Sequence, residues 1–177
     1  MVYVALLRGI NVGGNAKIEM SKLRQMFERL GFDNVKTYIN SGNVIFENNK
    51  HPCSDLVEII ESSITRTFGM KVPVVVRDAN NIQSIIEAIP SQWVNDSVMK
   101  TDVLFLRPEI DSPDILSNIT INPKLENVIY DHGVLVWNIA RDNVSKGNGI
   151  KLIGTDIYKG ITVRNVNTVR KIAALMG

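Results

Sequence analysis

Over residues 1–77 the spacing of apolar residues changes in an order that few folds can satisfy. Val2 to Leu7 is an unbroken apolar run, the pattern of a strand covered on both faces. Leu23, Met26, Phe27 and Leu30 then recur at i, i+3, i+4 and i+7, which predicts a helix with Ser21 as N-cap and Gly31 just past its end. Val35–Ile39 and Val44–Phe46 read as strands joined through Ser41-Gly42-Asn43. Asp55 and Glu58 have capping-box spacing ahead of Leu56, Ile59, Ile60, Ile64 and Phe68, a second helix that Gly69 should stop. Val72–Val76 is the fourth strand. The order β-α-β-β-α-β is that of a ferredoxin-like unit, and right-handed crossovers give it an antiparallel sheet of order 4-1-3-2. Lys36 and Pro73 suit edge strands, which is where that order puts the second and fourth.

The second half is less regular. Ile82, Ile85, Ile86 and Ile89 mark a helix, and residues 90–100 an irregular connector. Val103–Leu106 is a buried strand, Pro113–Ile119 a short helix, and Val128–Tyr130 with Val134–Ala140 a hairpin around Asp131-His132-Gly133. Residues 146–155 mix glycines with a short helical pattern, and a last helix runs from Val166 to Met176. The expected organisation is α+β: a ferredoxin-like subdomain at 1–77, a helix and connector at 78–100, and a second, smaller α+β subdomain at 101–177. No repeat is evident.

Hydrophobic residues at 45% and charged residues at 21% are globular proportions. A net charge of +2 argues against a dedicated polyanion binder or membrane-surface protein. One cysteine excludes an intramolecular disulfide. No run approaches the roughly 20 apolar residues of a membrane span, and the N-terminus lacks a basic start and cleavage site. A cytoplasmic location and no membrane partner are expected.

Leu6 to Asn15, L-L-R-G-I-N-V-G-G-N, is where an apolar strand empties into a glycine-rich polar loop. In the expected topology the loop after strand one, the turn after strand two and the start of the first helix share one sheet edge. That would gather Arg8, Asn11, Gly13, Gly14 and Lys17 beside Ser41, Gly42 and Asn43, near free helix N–H groups, as an anion site. Neither G-x-x-x-x-G-K-[ST] nor G-x-G-x-x-G is present, so a nucleotide fingerprint is excluded. A late segment, Thr162-Val163-Arg164-Asn165-Val166-Asn167-Thr168, alternates polar and apolar residues before opening a helix. One asparagine there would be an N-cap. Arg164, Asn165 and Asn167 could otherwise supply a second wall of the ligand site. Cys53 precedes a helix without an assured histidine partner, His132 sits at a hairpin tip, and no ligand spacing for a metal exists.

These blocks carry a resemblance. L-L-R-G-I-N-V-G-G, K-I-E-M-S-K-L-R, L-G-F-D-N-V-K-T-Y-I-N-S-G-N-V-I-F and T-V-R-N-V-N-T-V resemble an uncharacterised, mostly bacterial family catalogued as domain of unknown function 1697. Its members usually carry tryptophan where this chain has Val166. The resemblance implies a cytosolic protein with a ferredoxin-like first half and a second α+β half, and no activity, cofactor or catalytic residue. It adds weight to the loop and turn residues above and to Thr162, Arg164, Asn165, Asn167 and Thr168.

The first expectation is a small phosphate- or carboxylate-bearing ligand at the edge formed by loop 8–17 and turn 41–43, with Arg8 and Arg164 as bidentate anion holders. RNA binding through the sheet ranks below it, because Ser41 and Asn43 stand where stacking aromatics belong and leave only Phe46. The third reading is a non-catalytic interaction or structural module whose polar edge locks its own parts together.

Overall fold

The computed structural model describes residues 1–14 and 16–177; Asn15 of the opening loop lies outside them. Among the described residues the chain forms two compact units, Met1–Asn80 with Ile172–Gly177, and Asn81–Lys171. Each contains an antiparallel four-stranded sheet.

The first unit runs β1 (Val2–Leu7), α1 (Met20–Arg29), β2 (Asp33–Tyr38), β3 (Asn43–Glu47), α2 (Leu56–Phe68) and β4 (Val74–Asp78). Across the sheet the order is β2-β3-β1-β4, or β4-β1-β3-β2 counted from the other edge. Lys36 lies on edge strand β2, and Pro73 comes just before edge strand β4. Strand alternation sends Tyr3, Ala5, Leu7, Val44, Phe46 and Val74 to one face, where they pack with Leu23, Met26, Phe27, Ile60 and Ile64 of the two helices. The opposite phase, Val4, Leu6, Ile45 and Val75, is buried as well. Burial on both faces is why β1 reads as a continuous apolar run.

Both helix starts depart from expectation. Glu19 is the N-cap of α1, with no side-chain capping bond; Ser21 lies inside the helix and its hydroxyl donates to the Glu19 carboxylate. A 3-10 turn at Cys53–Asp55 leads into α2. It leaves Asp55 already helical (φ −95°, ψ −10°), so its carboxylate faces the Ser54 hydroxyl at 2.6 Å instead of capping. N-capping needs an extended backbone at the cap residue, which spacing alone does not fix.

Next come α3 (Ala79–Ala88), β5 (Met99–Leu106), β6 (Glu126–Asp131), β7 (Val134–Ala140), α4 (Gly149–Leu152), α5 (Asp156–Lys159), β8 (Ile161–Asn165) and α6 (Val166–Met176). The division of the chain differs from the expected one. The second unit begins at Asn81, within α3, and the last six residues belong to the first. The connector is no linker, because it is fastened into the second unit. Thr101 Oγ1 donates to the Val94 carbonyl at 2.7 Å, the Val98 and Met99 amides donate to Asp96 at 2.8 and 2.7 Å, and Arg170 reaches the Trp93 carbonyl at 3.1 Å.

The second sheet has the order β6-β7-β5-β8, the same permutation as the first. The likeness extends to residues. Val4-Ala5-Leu6-Leu7-Arg8 matches Val103-Leu104-Phe105-Leu106-Arg107, and Val76-Arg77-Asp78-Ala79-Asn80 matches Val163-Arg164-Asn165-Val166-Asn167. Val4 pairs with Ile45 and Arg77, and Val103 with Val136 and Arg164. Leu7 N donates to the Gly42 carbonyl at 2.8 Å, and Leu106 N to the Gly133 carbonyl at 3.0 Å. Arg8 N donates to Pro73 and Arg107 N to Gly160, at 2.9 and 3.0 Å. The two units therefore repeat one strand arrangement, where the sequence alone showed no repeat. What hides it is the layer over the sheet: where the first unit has α1 and α2, the second has 3-10 turns and the four-residue helices α4 and α5.

Candidate functional site

At the end of β1 the backbone is tied on both sides, to Gly42 of the β2–β3 turn and to Pro73 ahead of β4. The chain then leaves the sheet as the polar loop. Asn11 organises it. Its Nδ2 donates to the carbonyls of Ile18 and Asn40, both at 2.9 Å, and its Oδ1 accepts from Ile18 N at 2.9 Å. Asn11 holds φ at +54°, a left-handed conformation that asparagine tolerates. This side chain staples the loop to the β2–β3 turn. Asn43 is fully buried and does the same inside the turn, donating to the Tyr38 carbonyl at 2.9 Å and to Ser41 Oγ at 3.2 Å. Both asparagines, expected as ligand donors, have internal work.

The glycines divide in the same way. At Gly42 (φ +80°) a Cβ would stand 2.7 Å from Ile10 Cδ1 and 2.8 Å from Leu7 Cβ, so the turn closes tightly on the core. Gly13 and Gly14, at φ +62° and +81°, face open space. A concavity of about 620 Å³ opens beside this loop, lined by Asn11, Gly14, Lys17, Ile18, Glu19, Met20 and Asn40. Of the expected set it brings together Asn11, Gly14 and Lys17; Arg8, Gly13, Ser41, Gly42 and Asn43 are not among its lining. Lys17 is exposed. Glu19 is occupied by Ser21 and by Lys22 at 3.1 Å, which together hold its carboxyl below the usual range. Ala16 (+47°) and Ile39 (+49°) also take left-handed backbone conformations in these two connections, an uncommon state for a β-branched residue such as Ile39.

The late segment belongs to the second unit. Arg164 is buried on β8, donates to the Val163 carbonyl at 2.8 Å, and is lowered to about 10 by burial, which leaves it charged at neutral pH. Asn165 Oδ1 accepts from Thr168 N at 2.9 Å at the start of α6, and Asn167 Nδ2 donates to the Asn95 carbonyl at 2.7 Å. Both asparagines thus have structural partners. Arg77, the matching residue of the first unit, donates to its own Val76 carbonyl at 3.1 Å, as Arg164 does to Val163.

Cys53 is exposed, and its Sγ lies 2.7 Å from the Tyr3 hydroxyl. That hydrogen bond, with burial, pushes Tyr3 up to about 12. His51 engages the Leu30 carbonyl at 2.9 Å instead of the cysteine. Among the described residues no group of three or more His, Cys, Asp or Glu is placed to hold a metal, and no helix is long and apolar enough to cross a membrane.

The RNA reading needs exposed aromatics on the sheet. Tyr3 and Phe46, 5.8 Å apart and stacked, are buried on the helix-packed face, and the other phase of these strands is Val4, Leu6 and Ile45. The ring in that phase is half-buried Tyr38 on edge strand β2, which pairs with Asn43.

Sequence reasoning passed over Glu126. It is 3% exposed. Its carboxylate accepts from Trp137 Nε1 (3.2 Å), Asn148 N (2.6 Å), Gly149 N (2.9 Å) and Asn122 N (2.8 Å). The available signal was a carboxylate in the same alternation phase as Val128 and Tyr130.

Comparison with known proteins adds kinship and no activity. No curated protein matches the chain. Among solved structures, it is similar to that of the conserved bacterial protein SP0830 from Streptococcus pneumoniae, with a TM-score of 0.85 and 28% identity, covering 99% of this chain and 98% of that one. The family described as Protein of unknown function (DUF1697) matches residues 1–136. With that match spanning most of its length, the chain belongs to this family of proteins of unknown function.

Proposed function

We propose that the protein is a small-molecule binding protein whose ferredoxin-like first unit takes a phosphate- or carboxylate-bearing ligand beside the opening loop. The observation that carries this reading is the 620 Å³ concavity, with exposed Lys17 and the open backbone of Gly14 on its wall. Two features support it. The first turn of α1 has no side-chain cap, so its N–H groups and positive dipole end remain available, and the carboxylate of the N-cap residue Glu19 is engaged by Ser21 and Lys22. Asn11 already ties Ile18 and Asn40 together beside the concavity, which lowers the ordering a ligand must impose at those residues. Lys17 supplies charge and the Gly14 backbone supplies close approach. Glu19, the carboxylate at the concavity, is engaged by Ser21 and Lys22, and the function assigned is binding.

The test is a thermal-shift series with inorganic phosphate, pyrophosphate, malate and citrate on the full chain and on Lys17→Ala. A bound anion at about a hundred times its Kd should add roughly 2.7 kcal/mol, a rise of several degrees for a chain of this size. Lys17→Ala should lose most of that rise while melting normally without ligand. No anion effect in the native protein, or an equal effect in Lys17→Ala, would reject the assignment.

A further inference from the structure

The second unit contains a cavity of about 250 Å³ on the face of its sheet that the first unit covers with helix. The shared register allows a position-by-position comparison. Tyr3 pairs with Phe46 in the first unit; Asp102 pairs with Trp137 at the same places in the second. In the first unit the two rings stack in a core shared with α1 and α2. In the second unit the connection after β7 supplies only two four-residue helices, and the space a long helix would fill is left open.

The residues on that face are not those of a core with a packing defect. Along β5 the inward phase reads Lys100, Asp102, Leu104, Leu106, so two opposite charges precede two leucines. Lys100 Nζ lies 3.2 Å from the Asp102 carboxylate, with side chains 40% and 23% exposed. The apolar part of the cavity is walled by Leu104, Trp137 and Leu152, while Ile150 and Ile153, each 59% exposed, line it as well. Glu126 also borders it, but its oxygens are occupied by four protein N–H donors and serve the wall.

We propose that this cavity binds a small zwitterion with an apolar body, of which an α-amino acid with a bulky apolar side chain is the simplest form. Its carboxylate meets Lys100, its ammonium meets Asp102, and its side chain lies against Leu104 and Trp137. Charge balance selects this class. A ligand carrying only a carboxylate would draw Lys100 away from the partly buried Asp102, and a lone cation would draw Asp102 from Lys100; either leaves one charge of the pair without its partner. A zwitterion replaces one ion pair by two. Size agrees: a cavity of about 150 Å³ holds benzene, so the larger volume here admits a benzyl group and part of an amino-acid backbone. The site lies wholly within the second unit and does not depend on the loop site of the first.

The chain has two tryptophans, so full-length Trp93→Phe leaves Trp137 as the reporter. L-phenylalanine, N-acetylphenylalanine and phenylalanine amide are titrated against its fluorescence. The expected result is a saturable change with phenylalanine and binding at least about tenfold weaker for either single-charge analogue. Lys100→Ala and Asp102→Ala should each weaken phenylalanine by a similar factor, and Val163→Phe should fill the cavity and abolish the signal. Should Val163→Phe fail to fold, the two charge variants decide alone. No saturable change up to about 10 mM phenylalanine, equal binding of the analogues, or binding untouched by both charge variants would overturn the proposal.

Discussion

Glu126→Gln changes one oxygen into an amino group and leaves the shape alone, yet the structure predicts a large loss. Three donors converge on one carboxylate oxygen, from Trp137, Asn148 and Gly149; the fourth, from Asn122, uses the other. A glutamine keeps the three by placing its carbonyl at the first position, and its amino group then faces the Asn122 N–H. One charge-assisted bond worth about 1.5–3 kcal/mol disappears, and a donor meets a donor in a buried place at a further cost of about 1–3 kcal/mol. The three remaining bonds weaken because a neutral acceptor binds N–H groups less strongly. Removing a buried charge returns part of this. The net expectation is a destabilisation of roughly 2–4 kcal/mol. Urea unfolding followed by far-ultraviolet circular dichroism measures it, and amide exchange locates it: the Asn148 and Gly149 N–H groups should lose protection first. A change below about 0.5 kcal/mol with both amides still protected would refute the reasoning.

Gly42→Ala should cost roughly 2–4 kcal/mol, combining left-handed strain with a Cβ pressed to 2.7 Å from Ile10; a melting temperature within a degree of the native protein would contradict this. Tyr3 titrates at about 12 in the folded protein against an ordinary 10. A raised tyrosine pKa contributes stability that is complete below pH 10 and lost as pH climbs to about 12. Tyr3→Phe should lack that component, so the stability difference between the two proteins should narrow across that alkaline interval; parallel pH profiles would show that the Cys53 hydrogen bond and burial do not have this effect.

The first unit was legible because its periods are clean. Leu23, Met26, Phe27 and Leu30 form one helical stripe, Gly31 and Gly69 stand past helix ends at φ +84° and +71°, and the strand with Lys36 is an edge. The cap was misplaced at Ser21, and Asp55, which does stand at the N-cap position, makes no side-chain capping bond, because spacing carries no backbone angle. The polar loop misled for another reason. An asparagine looks the same in sequence whether it donates to a ligand or, as Asn11 and Asn43 do, to carbonyls of its own chain. The repeated strand arrangement escaped because the second unit has short turns where the first has two long helices, leaving only brief matching strings such as Val76-Arg77 and Val163-Arg164. The cavity left a trace that periodicity could have shown: Lys100 and Asp102 share a phase with Leu104 and Leu106.

The assignment of Ile172–Gly177 to the first unit has a consequence for the order in which the molecule can be completed. A ribosome releases β1 to β4 early, then the whole of Asn81–Lys171, and only afterwards the six residues that finish the earlier unit. Ile172 and Met176, both buried, are late arrivals in a structure whose other members have already emerged. Closing so long a stretch of chain is entropically slow. The first unit is begun first and finished last, and a nascent chain halted before Ile172 would hold a complete second unit and an unfinished first.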